Sequence, residues 1–217
     1  MRYALAVLTH DDGSEGETLA ATIRSFDEHV TPPPVERLIV QDGPCPLPPP
    51  RPYPWTCLTL PRQSGFCTAT AALWEMAAEG RGYDYVFWLE HDFAFKRHVD
   101  LTGLAVALDE NEYVAQISFV RDSVNEQEHG NGGVIGNHRA RGDVFLDRGR
   151  WLEHTAYFTT TPNLMTREFM LSRAFPPGPE CEGKMGAELR AQAFTFGAWG
   201  NGEPWVEHTG QRTGKGY

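Results

Sequence analysis

Two carboxylates separated by one histidine close a short apolar run: Tyr83-Asp84-Tyr85-Val86-Phe87-Trp88-Leu89 leads straight into Glu90-His91-Asp92. A buried strand that stops at Glu-x-Asp sets two hard oxygen ligands at the carboxyl edge of a sheet, the edge where open α/β proteins bind ligands. Oxygen-rich donor sets favour Mg²⁺ or Mn²⁺. Taken alone, these residues also suit a strand followed by a solvated acidic turn. Two further apolar runs end in the same way, one in Asp11-Asp12 and one in Asp42. If the three strands are parallel neighbours, their carboxylates gather on one edge. A nucleotide pocket has that geometry, because carboxylates can hold ribose hydroxyls, base donors and a metal.

The elements that must position these groups can be read from periodicity. Tyr3–Leu8 is a strand, and Ser14-x-x-Glu17 has capping-box spacing before Leu19, Ile23, Phe26 and Val30, which follow helical spacing. Val35–Val40 is a second strand, and the proline-rich connector 44–54 can be neither regular helix nor central strand. Trp55–Leu60 is a third strand, and Thr68–Glu79 a helix with Gly80 suited to its C-cap. After the Glu-His-Asp strand come a helix over 101–110 and a strand over 113–120. This order implies an α/β sheet of substantially parallel character. Residues 121–150 are polar and Gly-rich, without clear periodicity, as functional or mobile segments often are. Helices are expected near 166–174 and 183–193, and a last short strand at Trp205-Val206-Glu207-His208.

At 217 residues the chain fits one domain, read as a half over 1–120 and a second half over 121–217. With 41% hydrophobic and 22% charged residues it has an ordinary globular composition, and no apolar run approaches the roughly 20 residues of a membrane helix. The apolar start is cut short by Thr9-His10-Asp11-Asp12, which reads as a first strand rather than an export signal. Cys45, Cys57, Cys67 and Cys181 form no CxxC pair, so the expectation is reduced thiols in a cytoplasmic protein. The formal charge of −10 argues against a large basic nucleic-acid footprint but leaves room for a local groove, for which the tail with Arg212 and Lys215 is the candidate.

Several of these segments resemble the nucleotide-sugar glycosyltransferases of the GT-A fold, above all small family-2-like members of the type encoded by bacteriophages. Ala6-Val7-Leu8-Thr9-His10-Asp11 looks like the opening strand whose end contacts the donor base. Leu38-Ile39-Val40-Gln41-Asp42-Gly43 is similar to the family's strand ending in Asp-Asp-Gly, with Gln41 for the first Asp. Arg62-Gln63-Ser64-Gly65-Phe66 matches the segment entering the donor pocket, and Glu90-His91-Asp92 sits where the family has its Asp-x-Asp metal motif. The resemblance implies a mixed, mostly parallel Rossmann-like sheet flanked by helices, and transfer of a sugar from a nucleotide-diphosphate donor, UDP by family habit, to an acceptor hydroxyl. Thr9, Asp11, Asp42, Arg62 and Gly65 would contact the donor, with Arg212 and Lys215 closing over the diphosphate. Asp92, with Glu90 and the late His208, would hold the metal; an imidazole ligand favours Mn²⁺ over Mg²⁺. The family's base lies late, near a helix start, which implies Glu182, with Glu188 and Glu180 as alternatives, in an inverting geometry that needs a carboxylate opposite the leaving group. Trp151, His154 and Asn163 would face the acceptor, and His129 and His138 flank the Gly-rich loop before them.

Two other activities fit parts of the pattern. A sugar-phosphate nucleotidylyltransferase uses a related sheet but opens with a basic Gly-rich loop, whereas Thr9-His10-Asp11-Asp12-Gly13 is acidic. A non-catalytic glycan- or protein-binding module would keep the fold without needing Glu-x-Asp, His208 and a base together. The acceptor could be a modified DNA base, a virion protein or a glycan; a flipped base needs only a narrow groove. A phage-encoded enzyme would act in the host cytoplasm.

Overall fold

The computed structural model describes residues 1–10, 16–44 and 54–210. Its elements run β1 (Tyr3–His10), α1 (Glu17–His29), β2 (Val30–Thr31), β3 (Glu36–Asp42), β4 (Thr56–Thr59), α2 (Phe66–Glu79), β5 (Tyr85–Glu90), β6 (Phe93–Phe95), β7 (Val99–Asp100), α3 (Leu101–Asp109) and β8 (Val114–Phe119). There follow α4 (Glu126–Gly130), α5 (Val134–Ala140), β9 (Phe145–Asp147), β10 (Trp151–His154), β11 (Asn163–Thr166), α6 (Arg167–Leu171), α7 (Cys181–Ala191), β12 (Thr195–Trp199) and β13 (Val206–His208).

Nine strands form one sheet in the order β4-β3-β1-β5-β11-β8-β12-β10-β9. β1 runs parallel to β3 and β5, β3 to β4, and β12 to β8, whereas β11 is antiparallel to β5 and β8 and β10 to β12 and β9. The sheet is therefore mixed and mostly parallel, as expected. β1 shows why its strands read as continuous apolar runs: both faces are covered. Tyr3, Leu5 and Val7 pack with Leu19, Ile23 and Phe26 of α1 and Leu104 of α3, while Ala4, Ala6 and Leu8 pack with Leu73, Trp74 and Ala77 of α2. The period-2 alternation of a strand divides one sequence between two cores.

Three expectations needed correction. Residues 121–150 are not irregular throughout, since they carry α4, α5 and β9; elements this short leave little periodicity to detect. β12 was not anticipated, because Gly197 and Ala198 make a poor strand signal. Gly197 sits there for packing: a Cβ would stand 2.8 Å from Ile117 Cγ1 and 3.1 Å from Trp151 Cε3. The expectation of reduced thiols also fails, for Cys67 and Cys181 form a disulfide across 114 residues. Spacing could not reveal it, because the pairing arises only when the first turns of α2 and α7 meet. Cys57 is a free, exposed thiol, and Cys45 lies outside the described residues. No helix among the described residues is long and apolar enough to cross a membrane.

Candidate active site

Strand register assembles the acidic edge. His10 of β1 lies opposite Asp42 of β3, and Leu8 lies opposite Glu90 of β5, so the carboxyl ends of three parallel strands share one edge. Asp42 is buried there, and its two oxygens accept the backbone N–H groups of Ser64 (2.6 Å) and Gly65 (2.8 Å). It thereby fixes the loop entering α2, where Gly65 takes φ 87°, a left-handed conformation that glycine adopts without strain. Thr9 is buried in β1, and Arg62 is exposed. The expected Ser14 capping box and the donor contacts at Asp11, Arg212 and Lys215 lie outside the described residues.

A two-stranded ribbon brings the end of the chain back to this edge. β13 pairs antiparallel with β6, placing His208 opposite Phe93. His208 Nε2 then lies 3.1 Å from Asp92 Oδ2. Thr209 donates to the Asp92 carbonyl through both its N–H (2.7 Å) and its hydroxyl (3.0 Å), and a Cβ on Gly210 would collide with Asp92 Oδ2. The segment after β13 is thus fitted closely against one carboxylate. Burial alone would raise the Asp92 carboxyl, but the His208 hydrogen bond and the nearby His91 and His208 imidazoles outweigh it and hold the group below its ordinary value. Asp92 Oδ1 is buried without a hydrogen-bond partner. Such an atom is costly unless something binds it.

Among the described residues, no three or more His, Cys, Asp or Glu side chains converge as a metal cage. The pair Asp92 and His208 nevertheless fits a divalent cation of the kind that takes one or two protein ligands and completes its shell with substrate phosphates and water. One oxygen and one imidazole nitrogen suit Mn²⁺. Glu90 points elsewhere.

Thr160 Oγ1 lies 2.7 Å from Glu90 Oε1 and 2.8 Å from Glu182 Oε1, and the Thr160 N–H donates to the same Glu182 oxygen at 2.6 Å. A threonine hydroxyl carries one proton. It cannot donate to both carboxylates, so both bonds form together only when one carboxyl is protonated. Burial, then the adjacent Asp92 and Glu182 charges, push the Glu90 carboxyl well above the usual range, the direction that favours a proton on Glu90. With the proton there, Thr160 is free to donate to Glu182 Oε1, and Glu182 Oε2 is left over. Thr160 escaped the sequence reading because nothing in Thr159-Thr160-Thr161 announces partners 70 and 22 residues away. Glu182 lies in the first turn of α7 beside the disulfide, lining a cavity of about 470 Å³ between that turn and the start of α2. Glu180, at the N-cap, and Glu188, further along, are both exposed.

The residues expected at the acceptor side lie inside the protein. Trp151, His154 and Asn163 are 5%, 3% and 1% exposed. Asn163 binds the carbonyls of Thr159 and Thr161 and so shapes the turn that presents Thr160. His154 is enclosed by Phe145, Tyr157 and Phe196, with ring centroids at 4.8, 4.5 and 5.9 Å. Burial, assisted by the charge of His138, pushes it down to about 3. Unfolded, it would titrate near 6.5. Between these values the unfolded chain binds a proton that the native chain refuses, so stability falls as pH drops below about 6.5. This residue alone should cost about 2 kcal/mol by pH 5. Urea midpoints at pH 7 and pH 5 should show that acid loss shrinking in His154→Phe; an unchanged loss would mean that His154 is not held neutral.

Comparison with solved structures identifies the architecture. The structure of GalNAc-T7 with UDP, GalNAc and Mn²⁺ superimposes with a TM-score of 0.66 at 11% identity, over 98% of this chain and 44% of that one. TarS of S. aureus gives a TM-score of 0.59 at 11% identity, over 97% of this chain and 37% of that one. The chain therefore spans less than half the length of either. No family model and no curated protein matches the sequence. The fold is that of the GT-A glycosyltransferases.

Proposed function

We propose that this GT-A chain is a metal-dependent glycosyltransferase of the small family-2-like kind, transferring a sugar from a nucleotide-diphosphate donor, UDP-linked, to an acceptor hydroxyl with inversion. The observation that supports this most is the placement of the Asp92–His208 pair and the Glu90–Thr160–Glu182 chain on one sheet edge. The first faces a departing anion and the second accepts a proton. The GalNAc-T7 structure holds UDP and Mn²⁺ on the same architecture.

In this reading residues 1–120 bind the nucleotide. Asp42 acts by fixing the Ser64-Gly65 loop, and Thr9, Asp11 and Arg62 are assigned to the donor. Asp92 and His208 hold the cation. When bound, a divalent ion would reverse the local negative field and stabilise the leaving diphosphate as a Lewis acid. Glu182 Oε2 removes the acceptor proton, while Thr160 keeps Oε1 occupied and the carboxylate plane fixed. Glu90 serves the base rather than the metal. The tail carrying Arg212 and Lys215 starts directly after Gly210, which lies against Asp92, so it is suited to close over the diphosphate.

Calorimetric titration with UDP tests the reading. UDP should bind in the presence of Mn²⁺, and Asp92→Ala or chelation should weaken it by roughly 100-fold, near 2.7 kcal/mol. Equal binding with and without metal, or no binding of any nucleoside diphosphate, would defeat it.

A further inference from the structure

A cavity of about 710 Å³ has no assigned role, and none of Glu90, Asp92, Thr160, Glu182 or His208 lines it. It lies between the loop after β8, the α4–α5 turn and the segment before β13. Ion pairs and hydrogen bonds tie its wall together. The Arg121 guanidinium meets both oxygens of the buried Glu128 at 2.8 and 2.9 Å, and Glu128 also accepts the Val124 N–H at 2.9 Å. Lys96 Nζ meets both oxygens of Asp122 at 2.9 and 2.8 Å. Glu203 accepts from Arg97 at 3.3 Å and from the Asn201 N–H at 2.8 Å. Gly132, Gly133 and Gly202 have φ of 78°, 100° and 101°, so backbone replaces side chains over part of the wall.

This lining has a chemical consequence. Apart from Arg139, whose guanidinium lies over the Phe145 ring, its charges stand in opposite pairs, so the cavity offers many fixed donors and acceptors and only a small net positive charge. A nucleic acid draws its affinity from unpaired cations along phosphates, and the chain carries a formal −10. A neutral ligand dense in hydroxyl groups can instead donate and accept at each position. The volume falls in the range of small-molecule sites.

The position adds a length. Lys96 follows β6 and Glu203 precedes β13, so the cavity adjoins one end of the β6–β13 ribbon while Asp92 and His208 occupy the other. Four residues of extended chain from Asp92 to Lys96 span about 13 Å, more than a single sugar ring. Building on the transferase reading above, we propose that this cavity seats the non-reacting units of a neutral oligosaccharide acceptor whose terminal hydroxyl reaches the edge bearing Glu182.

The full chain would be applied to immobilised neutral oligosaccharides, the matching monosaccharides, Ser/Thr-containing peptides and oligonucleotides, with UDP and Mn²⁺ titrated in parallel. His129→Trp and Asn201→Trp, exposed positions on the lining, fill the cavity without touching its ion pairs. We expect at least one neutral oligosaccharide to bind in preference to monosaccharides, and either variant to weaken it roughly tenfold or more with UDP binding unchanged. The proposal is overturned if only peptides or oligonucleotides bind, if no probe binds while UDP does, or if filling the cavity leaves oligosaccharide binding intact. Oligosaccharide binding that is lost on filling, in a chain that never binds a nucleotide, would keep the cavity assignment and remove the transferase reading.

Discussion

Glu182→Gln is expected to lower the rate of sugar transfer roughly 10²- to 10⁴-fold, the usual contribution of a general base, with UDP affinity unchanged. The substitution is specific because of the Thr160 geometry. A glutamine carbonyl can still accept the Thr160 N–H and hydroxyl that now reach Glu182 Oε1. Only the second oxygen, the one free to take a proton, is replaced by an NH₂ donor. Thr160 offers a companion test. Thr160→Val removes the hydroxyl but keeps shape, and should reduce turnover without altering UDP binding; Thr160→Ser should restore it. Single-turnover rates beside UDP titrations measure both. Retention of more than about a tenth of the rate in Glu182→Gln would transfer the role to another carboxylate.

The second large effect concerns the disulfide beside Glu182. Cys181 precedes Glu182, and its disulfide to Cys67 ties the first turn of α7 to the first turn of α2 across 114 residues of chain. In the chain-entropy account, closing a loop of that size restricts the unfolded state by about 4–5 kcal/mol, and removing native disulfides typically costs about 2–5 kcal/mol. Cys67→Ser/Cys181→Ser should therefore lower the urea midpoint by an amount in that range, and reductant should do the same to the parent chain but nothing to the double variant. Thiol titration of the unfolded chain should find two more thiols after reduction than before, those of Cys67 and Cys181. Finding all four before reduction would refute the bond. Such bonds persist in oxidising compartments, so its survival in purified protein also bears on where the chain works.

Among the ion pairs, Arg121 with the buried Glu128 resembles the site in its lesson: neither residue stood out in a segment that reads as polar and aperiodic, yet together they fix the wall of a cavity. Local patterns identify elements, and pairs of this kind belong to none. The strands β1, β3 and β5 were legible because each is an apolar run with an acidic stop, and burial on both faces leaves such a run no other place. β12 was not legible, since its glycine answers to Ile117 and Trp151 on neighbouring strands.

What the sequence determined by itself is therefore the α/β class and the acidic stops of its strands, which follow from hydrophobic periodicity and side-chain chemistry, properties of short stretches. The choice of His208 and Glu182 came from the resemblance to a family and not from any such pattern. Only the tertiary structure decided that Glu90 turns toward Thr160 rather than toward Asp92's partner, that Trp151 and His154 are buried, and that Cys67 finds Cys181. Each of these depends on strand order and register, which place residues tens of positions apart within 3 Å or bury them altogether. A hydroxyl with one proton between two carboxylates has meaning only at that distance.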